Sequence, residues 1–266
     1  MATCAVGSRS FAYERLGDGP PLVVLNGFAA TRNDWDQAFL AALARDHTLI
    51  CLDHRGIGGS SDARPFTVDD LAADAADVIR TLGLDRPAVL GWSMGGFVAL
   101  TLARAHPTVL SRMVLLATSP GGAAAKPIAP AVKAQLTDFS GTPRERARRL
   151  LGLLFTPERA AAVDAEFGDV VAAAQAALPL DVVREQEHLL DEWERDRVGG
   201  RLDEVRCPTL VAAGSEDVVI PPANAVALAT GIAGAWLARF PRSGHAFMAD
   251  HPEQLARVIA AFLATD

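Results

Sequence analysis

Short, unbroken apolar runs recur along the chain, each closed by glycine, proline or a polar turn residue. They are Pro21 to Leu25, Thr48 to Asp53, Ala88 to Leu90, Met113 to Ala117, Thr209 to Ala213 and Ala235 to Phe240. Runs of this length without polar alternation are the mark of strands covered on both faces. A shorter strand, Phe11 to Leu16, precedes them and ends in the turn Gly17-Asp18-Gly19-Pro20. Stretches of helical period lie between the runs. One runs from about Trp35 to Arg45 behind a cap at Asn33-Asp34, and another from Thr67 to Leu82 has an acidic first turn and Gly83 as its stop. A third, Phe97 to Ala105, ends at His106-Pro107, and Pro221-Pro222 opens a fourth. Pro252 to Leu263 forms a closing helix. This alternation predicts an α/β fold with a doubly wound, mostly parallel sheet and right-handed crossovers.

From about 120 to 204 the rhythm breaks. No strand-like run occurs there, and proline and glycine separate helix-like segments at Thr142 to Leu154, Pro157 to Phe167, Val170 to Ala177 and Leu180 to Asp196. An insertion that starts at the end of a sheet strand lies over the carboxyl edge, where ligands bind in such folds. The expectation is one α/β domain over 1–266 with a helical cap at about 120–204.

Composition narrows the partners. The 266 residues suffice for one sizeable core, and 50% are hydrophobic. A net charge of −7 argues against nucleic acid or an anionic membrane as the main partner. No apolar stretch has signal-peptide or membrane-spanning length. The cysteines, Cys4, Cys51 and Cys207, are far apart and have no metal-ligand spacing, so they read as reduced thiols and the protein as cytoplasmic, with no metal and no cofactor. Nothing in the sequence bears on oligomeric state.

The chemistry gathers at Gly91-Trp92-Ser93-Met94-Gly95-Gly96, between a predicted strand and a predicted helix. A serine hydroxyl is a poor nucleophile unless held clear of its own backbone, near a base and facing oxyanion donors. A sharp strand-to-helix turn provides this, and its crowding requires small residues two before and two after Ser93, where Gly91 and Gly95 stand. Gly96 adds room against the neighbouring strand. Because the turn opens a helix, the N–H of Met94 and the positive end of the helix dipole point at the reacting carbonyl. A second glycine-rich stretch, Asp53 to Ser60, fails as a phosphate loop, since no Gly-Lys-Ser/Thr follows and the glycines run into loop. Asp53 and Arg55 are better suited to bracing that loop.

These pieces together resemble the α/β-hydrolase superfamily. The matching stretches are Asn26-Gly27-Phe28, Asp53-His54-Arg55-Gly56-Ile57-Gly58, the Ser93 turn, Gly214-Ser215-Glu216-Asp217 with Pro221, and Gly244-His245. The resemblance implies a nucleophile, acid and base in the order Ser93, Asp217, His245, with Glu216 competing for the acid. It also implies an oxyanion hole from the backbone N–H groups of Phe28 and Met94. Many members begin the first of these turns with histidine, and some lactone-hydrolysing ones with asparagine, so Asn26 favours lactones and esters. Members that break carbon–halogen bonds or epoxides carry aspartate where Ser93 stands. The implied function is a serine hydrolase of a small, largely apolar ester or lactone, acting through an acyl-enzyme. Carbon–carbon bond hydrolysis, cofactor-free perhydrolysis and a binding protein with a retained triad are the alternatives. Phe28, Trp92, Met94, Phe139, Phe155, Phe247 and Met248 are candidates to line the pocket, and Arg144, Arg146, Arg148 and Arg149 are candidates to meet a carboxylate, although a solvated helix face also accounts for them.

Overall fold

A computed structural model of the chain describes residues 1–61, 64–195 and 197–265, with the backbone alone at 197–200. Asp62 and Ala63 of the expected loop before Pro65, Asp196 at the expected end of the last cap helix, and Asp266 lie outside the described residues. Among the described residues eight strands form one sheet: β1 (Ala2–Val6), β2 (Arg9–Leu16), β3 (Pro21–Leu25), β4 (Thr48–Leu52), β5 (Ala88–Trp92), β6 (Met113–Leu116), β7 (Thr209–Gly214) and β8 (Trp236–Phe240). Their order is β1-β2-β4-β3-β5-β6-β7-β8, antiparallel at the first two pairings and parallel from β4 onward. The sequence reading contained no β1. That strand buries only Cys4 fully, so it carries little apolar signal, and Gly7 at φ 58° turns it into β2.

The helices are α1 (Gln37–Leu43), α2 (Val68–Thr81), α3 (Met94–Ala105), α4 (Pro130–Leu136), α5 (Pro143–Leu154), α6 (Pro157–Ala176), α7 (Leu180–Arg195), α8 (Ala223–Gly231), α9 (Phe247–Asp250) and α10 (Pro252–Leu263). Two expectations shift. The cap at Asn33-Asp34 belongs to a single 3-10 turn closed by Thr31 and Asp34, and α1 starts later, where the Asp36 carboxylate accepts from the N–H of Phe39. The segments Pro157 to Phe167 and Val170 to Ala177 are one helix, α6, running through Gly168. Gly168 leaves room for the Arg144 guanidinium, which would lie 2.1 Å from a Cβ there. The glycine is a close approach, so it does not break the helix.

Strand alternation divides the core in two. Val23, Leu25, Val89, Met113, Leu115, Val211 and Ala213 face α2, α3, α7 and α8, while Leu22, Val24, Leu90, Val114, Leu116, Leu210 and Ala212 face α1, α9 and α10. Each fully buried aliphatic side chain contributes roughly 1.5–3 kcal/mol, so both faces bind their helix layers strongly. β3 lies between β4 and β5, so the chain leaves β3 in one direction and returns across it to β5. The segments that follow β3 and β5 therefore open a crevice at the carboxyl edge. The long segment between β6 and β7 roofs that edge. Trp193 of α7 stacks on Phe97 of α3 at 4.6 Å, and its indole N–H donates to the carbonyl of Ser119.

Candidate active site

Ser93 follows β5 directly and adopts φ 55°, ψ −121°, a strained conformation for a residue with a side chain, costing on the order of 1–3 kcal/mol. Its surroundings hold it there. The Ser93 N–H donates to Leu116 O at 2.9 Å, and its carbonyl accepts from the Thr118 hydroxyl at 2.8 Å and the Gly96 N–H at 2.9 Å. The glycines have the role their spacing predicts. A Cβ on Gly91 would lie 2.3 Å from Gly95 O, one on Gly95 2.2 Å from Leu25 O, and one on Gly96 2.4 Å from the Thr118 hydroxyl. Gly27 packs on the other side, where a Cβ would lie 3.3 Å from that of Ser93. The turn after β3 thus lies against the serine.

Asp217 and His245 come from the segments after β7 and β8. The His245 Nδ1 donates to Asp217 Oδ2 at 2.8 Å, in surroundings where the two residues are 3% and 4% exposed. The second carboxylate oxygen accepts from the N–H groups of Val219 and Ile220, both at 2.9 Å. Glu216, the alternative acid, is exposed, and its N–H donates to Ser243 O. The loop carrying His245 is fastened on several sides. Trp92 donates its indole N–H to His245 O at 3.1 Å and lies 5.4 Å from the imidazole, while Ala246 N–H donates to Leu154 O at the end of α5. Among the described residues neither the Ser93 hydroxyl nor the His245 Nε2 has a hydrogen-bond partner, and the backbone N–H groups of Phe28 and Met94 have none either. Met94 is the first residue of α3, where no intrahelical acceptor exists.

Asn26 braces the crevice from within. Its amide donates to Leu52 O at 2.8 Å, its carbonyl oxygen accepts from the Trp35 indole at 2.5 Å, and its main-chain oxygen meets His54 Nε2 at 3.1 Å. Burial pushes the His54 imidazole below the ordinary histidine range. Asp53 takes Arg32 N–H, the Arg32 guanidinium and Gly59 N–H, and Arg55 pairs with Asp74, so both brace their loop as expected.

Cap helix α7 reaches the same edge through Gln186, which is fully buried. Its Oε1 accepts from the N–H of Ala29, a residue held at φ 50° beside Phe28. Nothing in the sequence singles out Gln186, since a glutamine on an amphipathic helix has no motif. Two cavities flank the crevice. One lies between Phe28, Phe139, Arg146, Leu150, Leu153 and Gln175, and the other between Phe97, Ser119, Ile128, Trp193, Glu194 and Ile220.

The pocket candidates separate accordingly. Phe28 and Phe139, in edge contact at 6.2 Å, line the first cavity. Trp92, Phe247 and Met248 do not line either one. They belong to the core on the far side of the sheet, because Trp92 ends β5 facing Trp35 and α9 turns Phe247 onto Phe240. Phe155 packs against that same core, and Met94, at the start of α3, is buried in the other one. Among the described residues no cluster of histidine, cysteine and carboxylate side chains has the form of a metal site, and no helix is long and apolar enough to cross a membrane.

Residues 20–252 match the family described as alpha/beta hydrolase fold, and the chain belongs to that family. It is a hydrolase. A pimeloyl-[acyl-carrier protein] methyl ester esterase of Aromatoleum aromaticum is 32% identical over 254 residues, covering 90% of this chain and 96% of the relative. Polyketide synthase ThaQ of Burkholderia thailandensis is 32% identical over 256 residues, which are 94% of this chain but only 12% of that much longer protein. The enol-lactonase of Burkholderia xenovorans superposes with a TM-score of 0.86 over 99% of this chain and 100% of its own, at 21% identity, a likeness of fold.

Proposed function

We propose that the protein is a serine hydrolase that cleaves a small, largely apolar ester or lactone through an acyl-enzyme, with a small molecule as its partner and no cofactor. Ser93 is the nucleophile. The His245 Nε2 takes the hydroxyl proton as the Ser93 oxygen bonds to the carbonyl carbon, and it returns that proton to the leaving alkoxide when the ester bond breaks. Water then attacks the acyl group with the same imidazole as base, freeing the acid and restoring Ser93. Asp217, bonded through Oδ2 to the other ring nitrogen, fixes the tautomer and stabilises the imidazolium. The N–H groups of Phe28 and Met94 receive the oxyanion, and one such donor is worth about a hundredfold or more in rate.

The observations that carry the reading are the buried His245–Asp217 hydrogen bond and a serine held on a strained, glycine-flanked turn. A relative named as a methyl ester esterase supports the substrate class. Turnover of a panel of short acyl esters by the wild type and by Ser93→Ala tests it. The expected result is a fall of at least about a thousandfold, and unchanged turnover would refute the mechanism.

A further inference from the structure

The cavity beside Phe28 has polar groups that its apolar walls do not explain. Three side chains from three cap helices face it: Gln135 of α4, Arg146 of α5 and Gln175 of α6. Among the described residues none of the three has a hydrogen bond or ion pair, although Gln175 is buried and the Arg146 Nε is buried without a partner. The other arginines of α5 differ in this respect. Arg144 pairs with Asp164 and Asp169, Arg148 with Asp164, and Arg149 with Asp138. A solvated, acid-paired face therefore accounts for three of the four, and Arg146 is turned instead into the roof of the cavity.

Holding a guanidinium partly out of water with no counter-charge costs free energy that a bound anion would recover. The one acid in the wall, Asp138, is already engaged by Ser140 N–H at 2.9 Å and by Arg149 at 3.5 Å. Phe28, which follows the Gly27 that packs against Ser93, lines this cavity, and Phe139, Leu150 and Leu153 give it apolar walls. The second cavity lacks this feature, because its acid, Glu194, is satisfied by Lys133 and by the N–H of Ile128.

We propose that the cavity between Phe28 and Arg146 is the subsite for an acyl chain that ends in a carboxylate, received by the Arg146 guanidinium with the Gln135 and Gln175 amides as flanking donors. The substrate is then a half-ester of a dicarboxylic acid or a lactone bearing a free carboxylate: apolar in its middle, anionic at its far end. Arginine suits a carboxylate because its planar fork donates two parallel hydrogen bonds.

The inference rests on the hydrolase reading above, and its test separates the two. Binding is measured by calorimetry on Ser93→Ala protein, which needs no turnover, with monomethyl adipate against methyl hexanoate, a neutral ester of equal length. The expected result is at least about tenfold tighter binding of the anionic ester, which corresponds to about 1.4 kcal/mol. Arg146→Gln in the same background brings the ratio to within about twofold, and Arg146→Lys, which keeps the charge without the fork, falls between. Thermal melts of each variant verify that it is folded, and Gln175→Leu, expected to weaken only the anionic ester, serves if Arg146→Gln does not fold. Equal affinity for the two esters, or an anionic preference that survives Arg146→Gln, overturns the inference. Failure of wild-type turnover with the binding preference intact would instead count against the hydrolase reading alone.

Discussion

At the scale of single residues, the site depends on side chains that never touch the substrate. Gln186 accepts from Ala29 N–H and so ties α7 to the turn that carries, one residue earlier, the Phe28 N–H proposed to receive the oxyanion, which makes Gln186 a positioning residue under that proposal. Replacing Gln186 with leucine leaves a half-buried N–H unpaired, at about 1 kcal/mol, and frees the turn. The expected outcome for Gln186→Leu is a kcat lowered by about tenfold or more with a smaller change in KM, since the oxyanion develops only in the transition state. Steady-state kinetics on one aryl ester decide it, and a raised KM with unchanged kcat would assign Gln186 to substrate binding instead. The turn at Ser93 was legible because its sterics restrict the residues on it: Gly91 and Gly95 announce an elbow before any partner is known. Trp92 was not, since adjacency in sequence to Ser93 says nothing of facing, and the last residue of β5 points across the sheet to Trp35.

At the scale of elements, the starts of α2 and α5 were readable because a threonine side chain closes the first turn. Thr67 with Asp70, and Thr142 with Glu145, form capping boxes at the start of α2 and α5. Glycine was the ambiguous sign. Gly168 reads as a helix break yet lies inside α6, because a close approach by another helix leaves the same mark in a sequence as a turn does. Two glycine-to-alanine changes expose the difference. Gly152→Ala, in the exposed interior of α5 with open space around it, is expected to stabilise the protein by up to about 1 kcal/mol through helix propensity. Gly95→Ala forces a methyl against the main-chain oxygens of Leu25 and Asn26, which cannot yield, and is expected to destabilise by about 1–3 kcal/mol or more. Urea unfolding of both proteins reads the two signs, and a stabilised Gly95→Ala would mean the elbow is looser than described.

At the scale of the molecule, the sheet brings together segments that are distant in sequence. Period-two alternation through β3, β5, β6 and β7 separates two cores, and what followed from the apolar runs was that these strands are covered on both faces in a mostly parallel sheet. The arrangement of the cap did not, because contacts such as Leu154 with Ala246 depend on tertiary packing that no local pattern encodes. One consequence of deep burial is pH dependence. His54 is 2% exposed, and burial holds its imidazole below the usual value against the opposing effects of the Asn26 carbonyl and Asp53. The unfolded chain therefore takes up the proton first. His54's contribution to stability is intact above about pH 6.5 and is lost as pH falls below it, by up to about 1.4 kcal/mol per pH unit. His54→Gln is expected to show a shallower loss of stability between about pH 7.5 and about pH 5.5 than the wild type. Chemical denaturation at both pH values measures the difference, and parallel losses would show that the buried imidazole does not resist protonation.

The central claim is that Ser93 has been made nucleophilic by His245 and Asp217. A fluorophosphonate probe applied to the native protein, followed by peptide mapping, measures this most directly. The account predicts one adduct, on the peptide carrying Ser93, absent after heat denaturation and strongly slowed in His245→Gln. Labelling at another residue, or labelling of Ser93 at the same rate without His245, would contradict it.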